Sequence, residues 1–90
     1  MVTHNETSTG VSNDLEKIAS VIKEYDKLIL VDGISSVCSI PIETDAWGLD
    51  VVATASQKGW MLPPGLAFIS FSEKAWEAHK NSTMPRFYLD

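Results

Sequence analysis

Two short stretches of this chain are apolar at every position, Leu28-Ile29-Leu30-Val31 and Val51-Val52-Ala53. Runs of this kind, too short for helices, belong to strands that are covered on both faces, and such strands are typical of parallel sheets. A third run, Leu66-Ala67-Phe68-Ile69-Ser70-Phe71, has nearly the same character, and Met1-Val2-Thr3 reads as the tail of another strand. Helical signals lie between them. Leu15, Ile18, Ala19, Ile22 and Tyr25 recur at helical spacing, and Asn13 is expected as the N-cap, with Glu16 three positions on in a capping-box pattern. Ser72 is expected to cap a last helix over Glu73 to Lys80, acidic in its first turn and basic in its last, the order the helix dipole favours.

The order strand, helix, strand, connector, strand, strand, helix is an alternating α/β pattern. The early connections are long enough for parallel crossovers. The link from Ala53 to Leu66 has only about a dozen residues and contains Pro63-Pro64-Gly65, a rigid turn, so the last strand is expected to run antiparallel. The fold class expected is therefore α/β, a mostly parallel sheet with one antiparallel strand and flanking helices. Asn5 to Gly10 reads as a hydroxyl-rich loop, residues 33–42 as a connector, Glu43 to Gly48 as an acidic loop, and Met84 to Asp90 as a tail without helix or strand.

Size and composition narrow the classes. Ninety residues make one small domain at most, and a domain of that size buries only about 60–65% of its unfolded surface. Hydrophobic content of 44% against 21% charged residues indicates a folded rather than a disordered chain. Strands covered on both faces need more than the two helices on offer, so residues 1–90 are expected to be part of a larger domain. A net charge of −5 with no basic run argues against a nucleic-acid partner. Cys38 has no second cysteine to pair with, which suits a reducing cytosol, and reads as a small buried hydrophobe. His4 and His79 stand too far apart to suggest a metal site. No run of 18 apolar residues and no signal-peptide pattern occur, so no membrane partner and a cytoplasmic location are expected. The triplets Asn5-Glu6-Thr7 and Asn81-Ser82-Thr83 are taken as chance matches to a glycosylation signal.

Ligands of open α/β sheets bind beyond the carboxyl ends of the strands. Three polar groups are expected there: the Thr7-Ser8-Thr9-Gly10 loop, Asp32 at the end of one apolar run, and the Ser56-Gln57-Lys58 turn after another. A carboxylate and an amine on neighbouring strand ends suit pyridoxal phosphate, which needs an amine for a Schiff base and a carboxylate for its ring nitrogen.

The stretches His4-Asn5-Glu6-Thr7-Ser8-Thr9-Gly10-Val11, Val31-Asp32-Gly33-Ile34-Ser35-Ser36, Asp45-Ala46-Trp47-Gly48-Leu49-Asp50-Val51-Val52 and, strongest, Ser56-Gln57-Lys58-Gly59-Trp60-Met61-Leu62-Pro63-Pro64-Gly65-Leu66-Ala67-Phe68 carry a resemblance. The sequence resembles the class V group of pyridoxal-phosphate enzymes, with the fold-type-I architecture. Within it the chain is most similar to the alanine–glyoxylate, serine–glyoxylate and serine–pyruvate aminotransferases. The resemblance covers nearly the whole chain, block spacings included. It implies that Lys58 forms the Schiff base and shuttles a proton, that Asp32 pairs with the pyridine nitrogen, that Thr7 bonds near the cofactor's phenolic oxygen, that Ile34 packs on the ring and that Gln57 bonds the phosphate. Thr54 and Ser56 are further contacts it suggests. It implies a small amino acid (alanine, serine or aspartate) as donor, a 2-oxo acid such as glyoxylate or pyruvate as acceptor, and a homodimer in the full-length protein.

The family's aromatic ring-stacker, its glycine-containing phosphate loop and its small C-terminal domain, with an arginine for the substrate carboxylate, have no counterpart in these residues. Arg86, the one arginine of the sequence, does not match that position. The chain is therefore expected to be an internal segment of the large, cofactor-binding domain, inactive when isolated. Two alternatives stay open: a lyase or desulfurase of the same fold, against which Gln57 speaks because desulfurases have histidine there, and a non-catalytic remnant or subunit, since some class V relatives carry a label as a soluble hydrogenase subunit.

Overall fold

The computed structural model describes residues 1–88; the last two positions of the expected tail, Leu89 and Asp90, lie outside the described residues. The elements are β1 (Val2–Thr3), β2 (Asn5–Glu6), β3 (Val11–Ser12), α1 (Leu15–Glu24), β4 (Leu30–Asp32), α2 (Thr44–Trp47), β5 (Val51–Ala55), β6 (Ala67–Phe71) and α3 (Glu73–Lys80). The main sheet has the order β1-β4-β5-β6. β1 pairs with β4 and β4 with β5 in parallel, whereas β6 runs antiparallel to β5 through five residue pairs, Val51↔Phe71 to Ala55↔Ala67. The mostly parallel sheet with one antiparallel strand is thus present as the sequence indicated.

The core lies between the sheet and α1. Leu15 and Ala19 of the helix meet Ile29, Val31, Leu49 and Val52, all nearly excluded from water, with Val2, Ile18, Ile22, Val37, Ile42 and Trp47 around them. Fully burying a leucine, isoleucine or valine side chain contributes about 1.5–3 kcal/mol, and Leu15, Ile29, Val31, Leu49 and Val52 are the residues that hold the parallel strands and α1 together. Asp50 joins this body to the rest. It is buried at the start of β5, and its carboxylate accepts from Ile29 N at 2.9 Å and from Ser72 Oγ at 2.8 Å. Ser72 also caps α3, accepting from Ala75 N at 3.1 Å. One buried carboxylate therefore ties the entry to β4, the start of β5 and the start of α3.

Several local expectations are corrected. The N-cap of α1 is Asp14, which accepts from Lys17 N at 3.1 Å, and not Asn13. The Asn13 side chain donates instead to Thr3 O at 2.7 Å and its backbone N–H to His4 O, so the residue is spent on holding the end of β1. The acidic loop contains a helical turn, α2, closed by Gly48 in the left-handed conformation at φ 64°. Residues of the hydroxyl-rich loop form a small antiparallel ribbon, with Asn5 opposite Ser12 and Glu6 opposite Val11. Cys38 is exposed, at φ 65° in the turn after β4, rather than buried. The strands are not all covered on both faces: every residue of β6 is exposed. Residues 84–88 of the tail carry no helix or strand.

Candidate functional site

Because β1, β4 and β5 are parallel, their carboxyl ends open on one edge of the sheet, and the connections that leave there share that edge. β1 runs into His4 and the β2–β3 ribbon, β4 ends on Asp32, and β5 leads into the Ser56–Lys58 turn. Asp32, half-buried, has two restraints. Its backbone carbonyl accepts from His4 N at 2.9 Å, and its Oδ1 accepts from Ile34 N at 3.0 Å. The second bond closes an Asx-type turn that fixes the direction of the carboxylate.

The tight turn that follows Asp32 is where the three connections meet. Val37 N and Ser36 N donate to Gly33 O, and Ile40 N and Ser39 N to Ser36 O, while Gly33 N reaches across to Ala53 O at 2.9 Å. From the ribbon side, Thr7 Oγ1 and Ser35 Oγ share a hydrogen bond of 2.6 Å. From the β5 side, Gly59 lies flat against residues 37–39. A Cβ on Gly59 would stand 2.2 Å from Val37 O and 2.7 Å from Ser39 Oγ, so only glycine permits this approach. The residue next to Lys58 is thus docked on the turn that begins at Asp32.

The Lys58 turn is also held from within. Ser56 is fully buried; its hydroxyl donates to Pro63 O at 2.7 Å and receives Leu66 N at 3.3 Å. Met61 N donates to Lys58 O and Leu62 N to Ser56 O, with Met61 at φ 57°. Trp60 packs on Phe68 with ring centroids 5.1 Å apart. Gln57 and Lys58 themselves are exposed at the tip, and Ile34 is exposed beside Asp32.

Of the residues singled out from sequence, Thr7, Asp32 and Ile34 are brought together through the turn, and Gln57 and Lys58 sit on the segment docked against it. Ser56 is different, because its hydroxyl is committed to the backbone of residues 63 and 66. Thr54 is buried, and its Oγ1 has no hydrogen-bond partner; it lines a cavity of about 250 Å³ with Val37, Val52, Trp60 and Phe68. Sequence reasoning passed over three contributors: Gly59 and Ser35, whose packing and bonding join the loops, and His4. The His4 ring is buried, Nδ1 has no partner, and burial holds its pKa below the ordinary histidine value. A histidine directly at a strand's carboxyl end was the available signal for the last of these. Among the described residues there is no group of three or more His, Cys, Asp or Glu that could hold a metal ion, and no helix is long and apolar enough to cross a membrane.

The fold is an α/β sheet with an aspartate and a lysine on neighbouring connections at its carboxyl edge, and comparison with known proteins narrows this class of fold to a family. The sequence model of the family described as aminotransferase class-V matches residues 1–84. The chain belongs to this family. It is 57% identical over its whole length to a protein of Synechococcus sp. (strain PCC 6716) named soluble hydrogenase, small subunit, covering 24% of that protein. It is 45% identical, again over its whole length, to the L-aspartate–glyoxylate aminotransferase of Paracoccus denitrificans, covering 23% of it. The crystal structure of the alanine–glyoxylate aminotransferase of Nostoc sp. superposes on 91% of this chain with a TM-score of 0.86 at 36% identity, and 22% of that protein is matched. The expected fold class, part of a fold-type-I transferase domain, is therefore the one found. The chain spans about a quarter of the length of the curated relatives it matches.

Proposed function

We propose that this chain carries the cofactor-anchoring part of a pyridoxal-phosphate-dependent aminotransferase. The observation that supports this reading best is the convergence of the Thr7, Asp32 and Lys58 segments on the turn over residues 33–40. The donor set fits the cofactor: a carboxylate of fixed direction at a strand end, a lysine on the adjoining connection and a hydroxyl tied to the turn between them. When bound, pyridoxal phosphate supplies an electron sink for the carbanion formed at the substrate carbon. Asp32 would hold a proton on the pyridine nitrogen, Lys58 would anchor the aldehyde carbon and move a proton, Thr7 would donate near the phenolic oxygen, Gln57 would hold the phosphate, and Ile34 would cover one face of the ring.

The donor in this reading is a small amino acid, alanine, serine or aspartate, and the acceptor a 2-oxo acid such as glyoxylate or pyruvate. A homodimer of the full-length protein, in the cytoplasm, is part of the same reading. Residues 1–90 form part of the large domain in it, and they hold the cofactor only weakly when isolated, so its test uses excess cofactor and irreversible trapping.

Borohydride trapping tests the site without requiring turnover. The chain is incubated with excess pyridoxal phosphate, reduced and digested, and the modified lysines are counted. Labelling concentrated on Lys58 over Lys17, Lys23, Lys27, Lys74 and Lys80, and reduced by Asp32→Asn, is the expected result. Labelling spread evenly over the lysines overturns the assignment. A second reading, a non-catalytic subunit of a larger assembly, is favoured by the name of the Synechococcus relative; Lys58 would then show no preference.

A further inference from the structure

The turn after β4 and the β2–β3 ribbon are joined by one pair of hydroxyls. Thr7 Oγ1 and Ser35 Oγ lie 2.6 Å apart, across 28 positions of sequence, and either can be the donor. The two partners are held differently. Ser35 sits inside a closed backbone network: Ile34 N donates to Asp32 Oδ1 on one side of it, and Ser36 N and Val37 N donate to Gly33 O on the other. Thr7 is exposed where the ribbon turns, between Glu6 and Ser8, and the Glu6 carboxylate is taken up by the N–H and hydroxyl of Ser8. Ser35 is therefore the fixed member of the pair, and Thr7 is the member it orients. Among the described residues neither hydroxyl makes a second hydrogen bond.

A pair of hydroxyls carries two protons, and the bond between them uses one. The direction of that bond decides where the other proton goes. If Thr7 donates, it offers a ligand only lone pairs. If Ser35 donates, the Thr7 proton is free, and a hydroxyl that already accepts a hydrogen bond is a stronger donor. Hydrogen bonds to a charged acceptor are roughly twice as strong as those between neutral groups, so an anionic oxygen beside Thr7 draws the pair into the second arrangement. We propose, resting on the role given to Thr7 above, that Ser35 is a positioning residue: it donates to Thr7 Oγ1 and so aims the Thr7 proton at the phenolic oxygen of the cofactor. Without a donor behind it, the Thr7 hydroxyl turns among staggered positions and meets the ligand in only a fraction of them. Residues 32–35 would then set three things together: the carboxylate for the pyridine nitrogen, the side chain over the ring and the direction of the Thr7 proton.

Borohydride trapping at rising concentrations of pyridoxal phosphate reads this without turnover. Ser35→Ala is expected to raise the concentration that half-labels Lys58 by about three- to tenfold, as for the loss of one ordinary hydrogen bond, while the far-ultraviolet circular dichroism stays unchanged. Ser35→Thr keeps the hydroxyl and is expected to restore the original value. Two comparisons separate orientation of Thr7 from simple support of the turn. The effect of Ser35→Ala should vanish in a Thr7→Val background. It should also vanish with an analogue of the cofactor in which hydrogen replaces the phenolic hydroxyl. Should Ser35→Ala unfold, Ser35→Cys, similar in size and only a weak donor, takes its place. If Lys58 is preferred in the unaltered chain but Ser35→Ala has no effect, or an effect that persists in either comparison, the proposal is overturned and the reading of the site stands. If the unaltered chain shows no preference for Lys58, both are overturned.

Discussion

The two sides of this sheet are built from similar strands and end in opposite states. On the α1 side, Val31 and Val52 are buried under Leu15 and Ala19, and the parallel ladder is closed. On the α3 side, Ile69 and Phe71 are exposed, Trp76 meets the rings of Phe71 and His79, and a groove of about 720 Å³ runs between Leu30, Val51, Phe71 and Trp76. Apolar composition made both regions strands, but composition does not supply the second layer. A sheet face stays open until something is placed on it. The candidate site lies at the carboxyl end of the buried strand β4, where Asp32 and the turn after it continue directly from Val31.

The sharpest way to break the comparison is to truncate one isoleucine on each side. Ile29 is 2% exposed and Ile69 is 55% exposed. Ile29→Ala should cost about 2–5 kcal/mol, the usual range for a large core truncation, and Ile69→Ala less than about 1 kcal/mol in dilute solution. Urea unfolding followed by circular dichroism measures both; equal losses would mean that β6 is covered after all.

Asp50 is the joint between the two regions and gives the next effect. Asp50→Ala strands the Ile29 amide and the Ser72 hydroxyl without an acceptor, each in or near the core. A loss of about 2–3 kcal/mol is expected, because a buried donor left unsatisfied costs about 1–3 kcal/mol. Hydrogen exchange locates it: amides of α3 should open before those of α1. Uniform opening would show that the two regions melt as one unit.

How much of this was legible follows from how local each determinant is. Ser72, Glu73 and Lys80 are neighbours of the helix they define, and α3 was read with its true bounds. The choice of Asp14 over Asn13 as cap was not readable, because both side chains can cap and a distant acceptor, Thr3 O, claims Asn13. α2 was missed because four residues give no periodicity, and its support comes from Gly48 and from Trp47 packing on the core. Cys38 misled because a small apolar residue is usually buried, whereas a tight turn placed it outside. At the site, the placement of Asp32 and Lys58 on one edge was legible from strand ends and parallel order. The contact of Gly59 with residues 37–39 was not, since it joins segments about twenty positions apart by shape alone. The roles given to Thr7, Ile34 and Gln57 came from family resemblance and not from physics.

That contact yields the third test. Gly59→Ala drives a methyl group into Val37 O, and the turn must retreat. The expected cost is about 1–3 kcal/mol, as for other overpacked positions. The diagnostic result is loss of the Lys58 preference in borohydride trapping at a temperature where the variant is still folded. A retained preference would show that the turn positions Lys58 without its seat on residues 37–39.

The smallest effect is the most specific to the closed side. His4 is buried where β1 meets the site, and its folded pKa lies below the ordinary histidine value of about 6.5 because burial disfavours the charged ring. The unfolded chain therefore binds the extra proton first as pH falls. Stability contributed by neutral His4 is fully present above about 6.5, declines as pH drops below that value, and levels off once the folded form protonates too. His79 is exposed on α3, with its ring against Trp76. Unfolding midpoints compared between pH 7.5 and 5.5 should fall for the unaltered chain and for His79→Gln alike, and should flatten in His4→Gln. A slope that follows His79 instead would place the pH-sensitive contact on the open side of the sheet, and the buried His4 imidazole would then be a bystander to acid stability.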